Sequence, residues 1–251
     1  MVLIGLHHEM INYDEVGSEY ARNRRVHPGV LFDLVLTSGI DSASKVLEVG
    51  CGTGNYIIAL KSLLHCSSWG IDPSKETLAK ARERTKKVKF QLGRAEELDF
   101  PRGFFDLVFS VDVIQYVGDR RSYFEVARKV LRPGGTFCTA TESDWIIRHR
   151  QPLAVYFPET VKIDLARHPS IPELREIMGK VGLGEIKENV VEFPYQITDI
   201  QPYRDKAFSS LKLIGEGAFQ KGLKRMERDL RAGPINCFSR YALLWGMARK
   251  R

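Results

Sequence analysis

Long apolar runs are missing from these 251 residues. None approaches the roughly 20 consecutive apolar residues a membrane-spanning helix needs, so no membrane span is expected. The stretch MVLIGLHHEM carries only a short apolar patch with no basic lead, and a secretory leader is not expected either. Cysteine is scarce: Cys51, Cys66, Cys138 and Cys237 are scattered and form no C-x-x-C pair. That excludes a disulfide framework and a zinc site of the usual spacing, points to a reducing cytoplasm, and leaves no metal expected. Internal repeats and low-complexity tracts are also absent. What remains, 43% hydrophobic and 27% charged, is the composition of an ordinary globular protein, long enough for one sizeable core.

Charge is unevenly spread. Residues 1–200 hold 26 Lys/Arg against 27 Asp/Glu, whereas residues 201–251 hold 12 against 4. The formal net charge of +7 therefore resides in the last fifth of the chain. Such a segment could favour an anionic partner (RNA, an acidic lipid surface, or a carboxylated or phosphorylated small molecule), but charge runs on helices usually mean only a solvated face, which is the favoured reading.

From Lys45 onward strands and helices alternate. KVLEVG, SSWGID, VKFQLG, FFDLVFSV and TFCTATE read as short buried strands, the fourth apolar nearly throughout, as a strand covered on both faces should be. NYIIALKSLLH, PSKETLAKARERT and RSYFEVARKV between them have helical spacing; Pro133, Gly134 and Gly135 stop the last. This rhythm predicts an α/β, doubly wound, mostly parallel sheet. Before it, Ser18 is an N-cap candidate, and a second helix starts near Pro28. After it, IPELREIMGKVGL is a helix, and GEIKENVVEFPY and FSRYALLWGMAR form an antiparallel pair at the sheet edge. The stretch between those strands, 195–233, is too long for an ordinary loop and reads as a helical cap, with Phe219, Leu223, Met226 and Leu230 on one helix face. The expected organisation is a single domain over 1–251, with a helical lid (1–40), a ligand-binding core (41–145) and a substrate side (146–251).

The stretch VLEVGCGTGNY sets Glu48 two residues before a glycine turn, Gly50, Gly52 and Gly54. A pyrophosphate at a helix N-terminus would be repelled by that carboxylate. A ligand with an ammonium tail, a sulfonium and no phosphate would be attracted, and S-adenosylmethionine is such a ligand. The competing reading of Glu48 is a partner for a structural arginine.

VLEVGCGTGNY resembles the E/D-x-G-x-G-x-G motif of class I S-adenosylmethionine-dependent methyltransferases, of the small-molecule "type 11" kind. Asp72 ends the second strand, 18 residues after Gly54. LGRAEELDFPRGFFDLVFS is similar to that family's G-D-A-E-x-L-P-F and F-D-x-V motifs, and VLRPGGTF to its V-L-K-P-G-G turn. The resemblance covers about residues 10–145 and implies a Rossmann-like sheet of seven strands with an antiparallel last strand. It implies that Glu48, Gly50, Cys51, Gly52, Gly54 and Asn55 meet the cofactor's amino-acid end, and that Asp72, followed by Pro73, holds the ribose hydroxyls, which paired carboxylate oxygens suit. A helix cap is the competing role for Asp72. Arg94 replaces the family's usual Asp, so adenine recognition passes to Ala95 and Glu96, with Arg94 able to stack. Ser110, Val111 and Asp112 lie where the fourth strand reaches the cofactor. YDEVGSEYARNRR resembles the segment that folds over the cofactor, which makes Tyr13, Tyr20 and Arg24 lid candidates.

Gln115 and Tyr116 occupy the place of a His-His pair seen in many relatives. With Tyr20 they are the candidates near the transferred methyl group. No N-P-P-Y motif is present, which counts against planar amide or adenine amino acceptors. Asp144, Trp145 and Arg148, with Gln115, are the substrate-side candidates. The expected activity is methyl transfer to an O, N or C nucleophile of a small molecule, an anionic acceptor being one option, leaving S-adenosylhomocysteine, by a monomer or homodimer. The rival readings are an RNA methyltransferase, a nicotinamide-dependent oxidoreductase and a non-catalytic cofactor-binding protein.

Overall fold

The computed structural model describes residues 26–249. Tyr13, Tyr20 and Arg24, and the helix start at Ser18, lie outside the described residues.

Helix α1 (Pro28–Ser38) leads into β1 (Lys45–Val49), α2 (Asn55–Leu64), β2 (Ser67–Asp72), α3 (Lys75–Arg84), β3 (Lys89–Leu92) and β4 (Phe105–Val111). A 3-10 turn (Ile114–Tyr116) is followed by α4 (Arg120–Val130), β5 (Leu131–Thr141), and the short helices α5 (Asp144–His149), α6 (Leu153–Tyr156) and α7 (Glu159–Arg167). Then come α8 (Ile171–Lys180), β6 (Leu183–Ile197), α9 (Gln201–Arg204), a second 3-10 turn (Ser209–Lys212), α10 (Glu216–Ala232) and β7 (Ile235–Ala248). The strands make one seven-stranded sheet in the order β3-β2-β1-β4-β5-β7-β6. The first five pair in parallel, and β7 runs antiparallel to both its neighbours.

Strand side chains alternate between two cores, as the period of two demands. Val46, Leu107 and Phe109 join Val30 and Leu34 of α1 and Tyr56, Ile57 and Leu60 of α2 on one face. Leu47, Val49 and Val108 join Tyr123, Phe124 and Ala127 of α4 and Leu174 and Met178 of α8 on the other. Helix α3 starts at Lys75 with Ser74 as its cap, Ser74 Oγ accepting from the Thr77 amide at 3.2 Å, so Pro73 stands just ahead of the cap and not in the first turn. The Pro-Gly-Gly segment is not a separate turn between helix and strand. Strand pairing starts at Leu131, opposite Phe105, and shifts register between Phe105 and Leu107. Gly135 permits this, because a Cβ there would stand 3.0 Å from the Phe105 carbonyl oxygen.

The last two strands outrun the sheet. The final β5–β7 pair is Thr141 with Ala242, yet β6 and β7 stay paired out to Ile197 and Ile235. This two-stranded arm carries a third core, in which Phe157, Tyr203 and Phe219 lie nearly parallel and pack with Leu223 and Met226 of α10. Among the described residues, no helix is long and apolar enough to cross a membrane.

Helix α10 approaches the end of α6 so closely that a Cβ at Gly222 would stand 2.3 Å from Phe157 Cδ1 and 2.7 Å from the Tyr156 carbonyl oxygen. Overpacking of this kind costs about 1–3 kcal/mol, offset by the ~1 kcal/mol alanine gains over glycine in a helix. Gly222→Ala is expected to speed amide hydrogen exchange across 198–234. Unchanged exchange in a variant as stable as the wild type would show that this contact does not hold the segment down.

Candidate functional site

The strand order reverses between β1 and β4, the place where open α/β sheets form a crevice at their carboxyl ends. A cavity of about 770 Å³ lies there. Its floor comes from the ends of β1 (Glu48, with Gly50 to Thr53 beyond), β4 (Val111, Asp112) and β5 (Glu142), and its far wall from Tyr195, Tyr203, Phe208 and Ser209.

The first turn is built for close approach. Gly50, Gly52 and Gly54 all have left-handed φ, between 52° and 78°. A Cβ on Gly50 would strike Val113 Cγ2 at 2.4 Å, whereas one on Gly52 would meet nothing within 4 Å. The Gly52 amide donates to Asp72 Oδ2 at 2.8 Å, and Asp72 Oδ1 accepts from the Ser74 amide at 2.9 Å and Thr77 Oγ1 at 3.0 Å. Asp72 thus ties the glycine turn to the start of α3. Glu48 is buried, and its Oε2 accepts the Ile57 amide at 2.9 Å in the first turn of α2. An acid suits that helix end, whose amides lack intrahelical acceptors. Burial pushes the Glu48 carboxyl well above the usual carboxylate range, the Ile57 amide opposing and the nearby Asp72 charge adding to the rise. Cys51 is buried, and its thiol is likewise pushed up by burial and then by the Glu48 and Asp72 charges, which makes it packing and not a nucleophile. Asn55 Oδ1 accepts from Arg84 at 2.5 Å.

Asp112, just past β4, holds a left-handed φ of 57°, sparsely populated for a residue with a side chain. Its Oδ2 accepts from the Tyr241 hydroxyl at 2.7 Å, and its carbonyl accepts Gln115 Nε2 at 3.0 Å. Gln115 Oε1 is buried with no partner among the described residues. The Tyr116 hydroxyl lies 3.4 Å from Ser209 Oγ, joining the sheet edge to the cap segment. His27 also lines the cavity, but both its nitrogens are engaged. Nδ1 accepts the Val30 amide at 3.2 Å, so Nε2 carries the proton and donates to the Ser239 carbonyl at 3.2 Å. Burial holds its pKa below the ordinary histidine value, and the ring caps α1 instead of serving as a base.

An ion cluster that sequence reading missed lines the same cavity as the glycine turn. Arg150 pairs with Glu142 at 2.6 Å and with Asp164, and Asp164 pairs with Arg167 at 2.5 Å. Burial works against charge on both Arg150 and Asp164, yet opposite charges outweigh it: Glu142 and Asp164 hold Arg150 above, and Arg150 and Arg167 hold Asp164 below, its ordinary pKa. His168 donates from Nδ1 to the Asp164 carbonyl at 2.9 Å, and burial lowers its pKa. The sequence signal was Thr160, Asp164 and Arg167, polar side chains at the i, i+4 and i+7 spacing that apolar ones usually hold on an inward helix face.

Some expected site residues do not reach the cavity. Ser110 is fully buried between strands, its Oγ donating to Thr139 Oγ1 at 3.1 Å. Asp144, Trp145 and Arg148 are exposed on α5, because one helical turn points them outward; Glu142, Arg150 and Gln151 from the same region line the cavity instead. Asp72, Pro73, Arg94, Ala95 and Glu96 lie outside the cavity lining, at the ends of β2 and β3. There Glu96 accepts the Gly118 amide at 3.2 Å and pairs with exposed Arg94 at 3.7 Å.

Residues 47–139 match the family described as a methyltransferase domain. This match supports a class I S-adenosylmethionine-dependent methyltransferase. Among the relatives of this chain, a rice protein described as a probable tocopherol O-methyltransferase of the chloroplast is 28% identical over 157 residues, 59% of this chain. That match spans only 42% of the rice protein's own length. The 2-methyl-6-phytyl-1,4-hydroquinone methyltransferase of Synechocystis is 26% identical over 84% of this chain and 69% of its own. A solved phosphoethanolamine N-methyltransferase 2 of Haemonchus contortus, in complex with S-adenosyl-L-methionine, superposes with TM-score 0.62 at 19% identity, over 100% of this chain and 61% of that one.

S-adenosylmethionine is the cofactor of this family. The residues present fit its amino-acid end: an acid at the tip of β1, open space above Gly52, and a buried acceptor on Gln115 face one cavity. The fit at the nucleoside end is looser, since the Asp72 carboxylate already accepts from three donors of the protein.

Proposed function

We propose that this methyltransferase moves a methyl group to a small molecule with an aromatic or apolar body. One observation carries the reading: the glycine turn and the aromatic wall of Tyr195, Tyr203 and Phe208 open into the same cavity, within the size range of small-molecule sites. The hydroquinone in the Synechocystis relative's name is a hydroxylated ring of this kind, and rings suit the stacked Tyr203 and Phe208, 5.1 Å apart. The cofactor supplies a methyl carbon already bound to a good leaving group. The chain's own task is then to align the nucleophile and exclude water, a contribution worth roughly 7–11 kcal/mol in favourable cases. In this reading Glu48, Gly50 and Gly52 receive the amino-acid tail and Asp72 the ribose. Arg94, Ala95 and Glu96 border the adenine, Gln115 and Tyr116 flank the transfer point, and 195–233 is the cap over the acceptor side of one domain.

Glu48 gives the test. Because its folded pKa is raised, its contribution to stability is full below the unfolded carboxyl value, 4.5, and is lost as pH rises through the folded pKa. A bound ammonium reverses that preference, so S-adenosylhomocysteine binding should release a proton from Glu48. Calorimetry in buffers of different ionisation enthalpy is expected to show that release in the wild type and not in Glu48→Gln, with affinity falling about 10–100-fold in the variant. Folded wild-type protein without affinity for S-adenosylhomocysteine would end the methyltransferase reading.

A further inference from the structure

We propose that Arg167 anchors an oxyanion, carboxylate or phosphate, on the molecule that receives the methyl group. The inference rests on the methyltransferase reading above and names the chemistry of its acceptor.

The guanidinium of Arg167 lines the cavity with its side chain only 15% exposed. Its Nη2 is satisfied twice, by Asp164 Oδ1 at 2.5 Å and by Ser209 Oγ at 3.2 Å. Its Nε and Nη1 are shielded from solvent and find no acceptor among the described residues. Buried donors left in this state are rare in folded proteins and call for an explanation. Neighbouring carboxylates do not supply one. Asp164 divides its two oxygens between Arg167 and Arg150, and Glu142 pairs with Arg150. A guanidinium has five donors and no acceptor, so whatever completes it must bring lone pairs. An anion gains more there than a neutral carbonyl, because hydrogen bonds between charged partners are about twice as strong.

The position suits a methyl acceptor. Ser209, bonded to Arg167, also stands 3.4 Å from the hydroxyl of Tyr116 in the 3-10 turn after β4. Arg167 is therefore linked through the Ser209 hydroxyl to the place where transfer is expected, in the cavity that the glycine turn also lines. A ring held among Tyr195, Tyr203 and Phe208 with its oxyanion on Arg167 would be fixed at one end, leaving its other end to face Gln115.

Calorimetry on protein saturated with S-adenosylhomocysteine tests this with three probes: 4-hydroxybenzoate, phenyl phosphate and the neutral 4-hydroxybenzamide. At least one charged probe is expected to bind tenfold or more tightly than the amide, and which one does so identifies the oxyanion. Arg167→Met is expected to abolish that preference with S-adenosylhomocysteine affinity unchanged within twofold, and Arg167→Lys to keep part of it. The wild-type comparison stands even where a variant does not fold. Equal binding of charged and neutral probes, no binding of either charged probe at millimolar concentration, or a preference that survives in Arg167→Met overturns the proposal. Failure of S-adenosylhomocysteine itself to bind overturns the methyltransferase reading and this one together; normal S-adenosylhomocysteine binding without anion preference overturns the Arg167 subsite alone.

Discussion

Gly50→Ala is expected to lower the melting temperature by roughly 5–15 °C and to abolish S-adenosylhomocysteine binding. Two costs add. A side chain held at the Gly50 φ of 67° costs about 1–2 kcal/mol. The new methyl would also stand 2.4 Å from Val113 Cγ2 and 2.9 Å from Cγ1, a clash that β-branched Val113 cannot relieve by turning, and overpacking of this sort costs about 1–3 kcal/mol. For a protein near this size each kcal/mol shifts the melting point by about 2–4 °C. Val113 leads directly into the turn that carries Gln115 and Tyr116, so the strain reaches both sides of the cavity. Gly52→Ala is the control. Its φ of 52° brings the same backbone cost, but its Cβ meets no atom within 4 Å. That variant should lose only roughly 2–8 °C and yet bind S-adenosylhomocysteine poorly, because its methyl group stands in the cavity. Calorimetric melting and titration of the two variants separate packing from binding. A Gly50→Ala protein as stable as the wild type, or a Gly52→Ala protein with wild-type affinity, would contradict the roles given to these glycines.

The glycine turn was readable because its signal is local: three glycines and an acid within seven residues, between an apolar strand and an apolar helix. Strand β4 was readable for a similar reason, since burial on both faces leaves little choice but apolar residues. Glu48 was recognised as an acid at a strand tip, but its bond to the Ile57 amide was not foreseen, because only the turn brings those groups together. The acceptor side was far less legible. Helices α5 to α7 surround an ion cluster, and Thr160 and Asp164 sit where a periodicity search looks for leucine. The cluster is tied to the cap segment by a contact far apart in the chain: Arg167 donates to Ser209 Oγ, 42 positions on. Trp145 and Arg148 drew attention by residue type, while the less conspicuous Arg150 and Gln151 reach the cavity. Residue chemistry without the local helix could not tell which would turn inward.

Asp164→Ala should be among the most destabilising single changes, costing about 3–5 kcal/mol, because it breaks a buried pair and leaves the partner charges uncompensated. Asp164 is 1% exposed and is shared by two guanidiniums, Arg150 and Arg167, neither of which can shed its proton. Removing the carboxylate leaves Arg150 with Glu142 and deprives Arg167 of its only carboxylate in this cluster. Acid should imitate the mutation. Burial alone would raise the Asp164 pKa, but the Arg150 and Arg167 charges and their hydrogen bonding bring it below the ordinary value of 3.8. A depressed folded pKa means that the unfolded chain takes up the proton first, so this stabilisation is complete above the unfolded value and fades as pH falls through the folded one. Denaturant titrations between pH 7 and pH 2 should therefore show wild type and Asp164→Ala far apart at neutral pH and converging in acid. Asp164→Asn keeps the shape and one acceptor oxygen but not the charge, and belongs between them at pH 7. A gap that stays constant down to pH 2 would mean that the carboxylate acts through packing, and that its charge does not hold the two arginines in place.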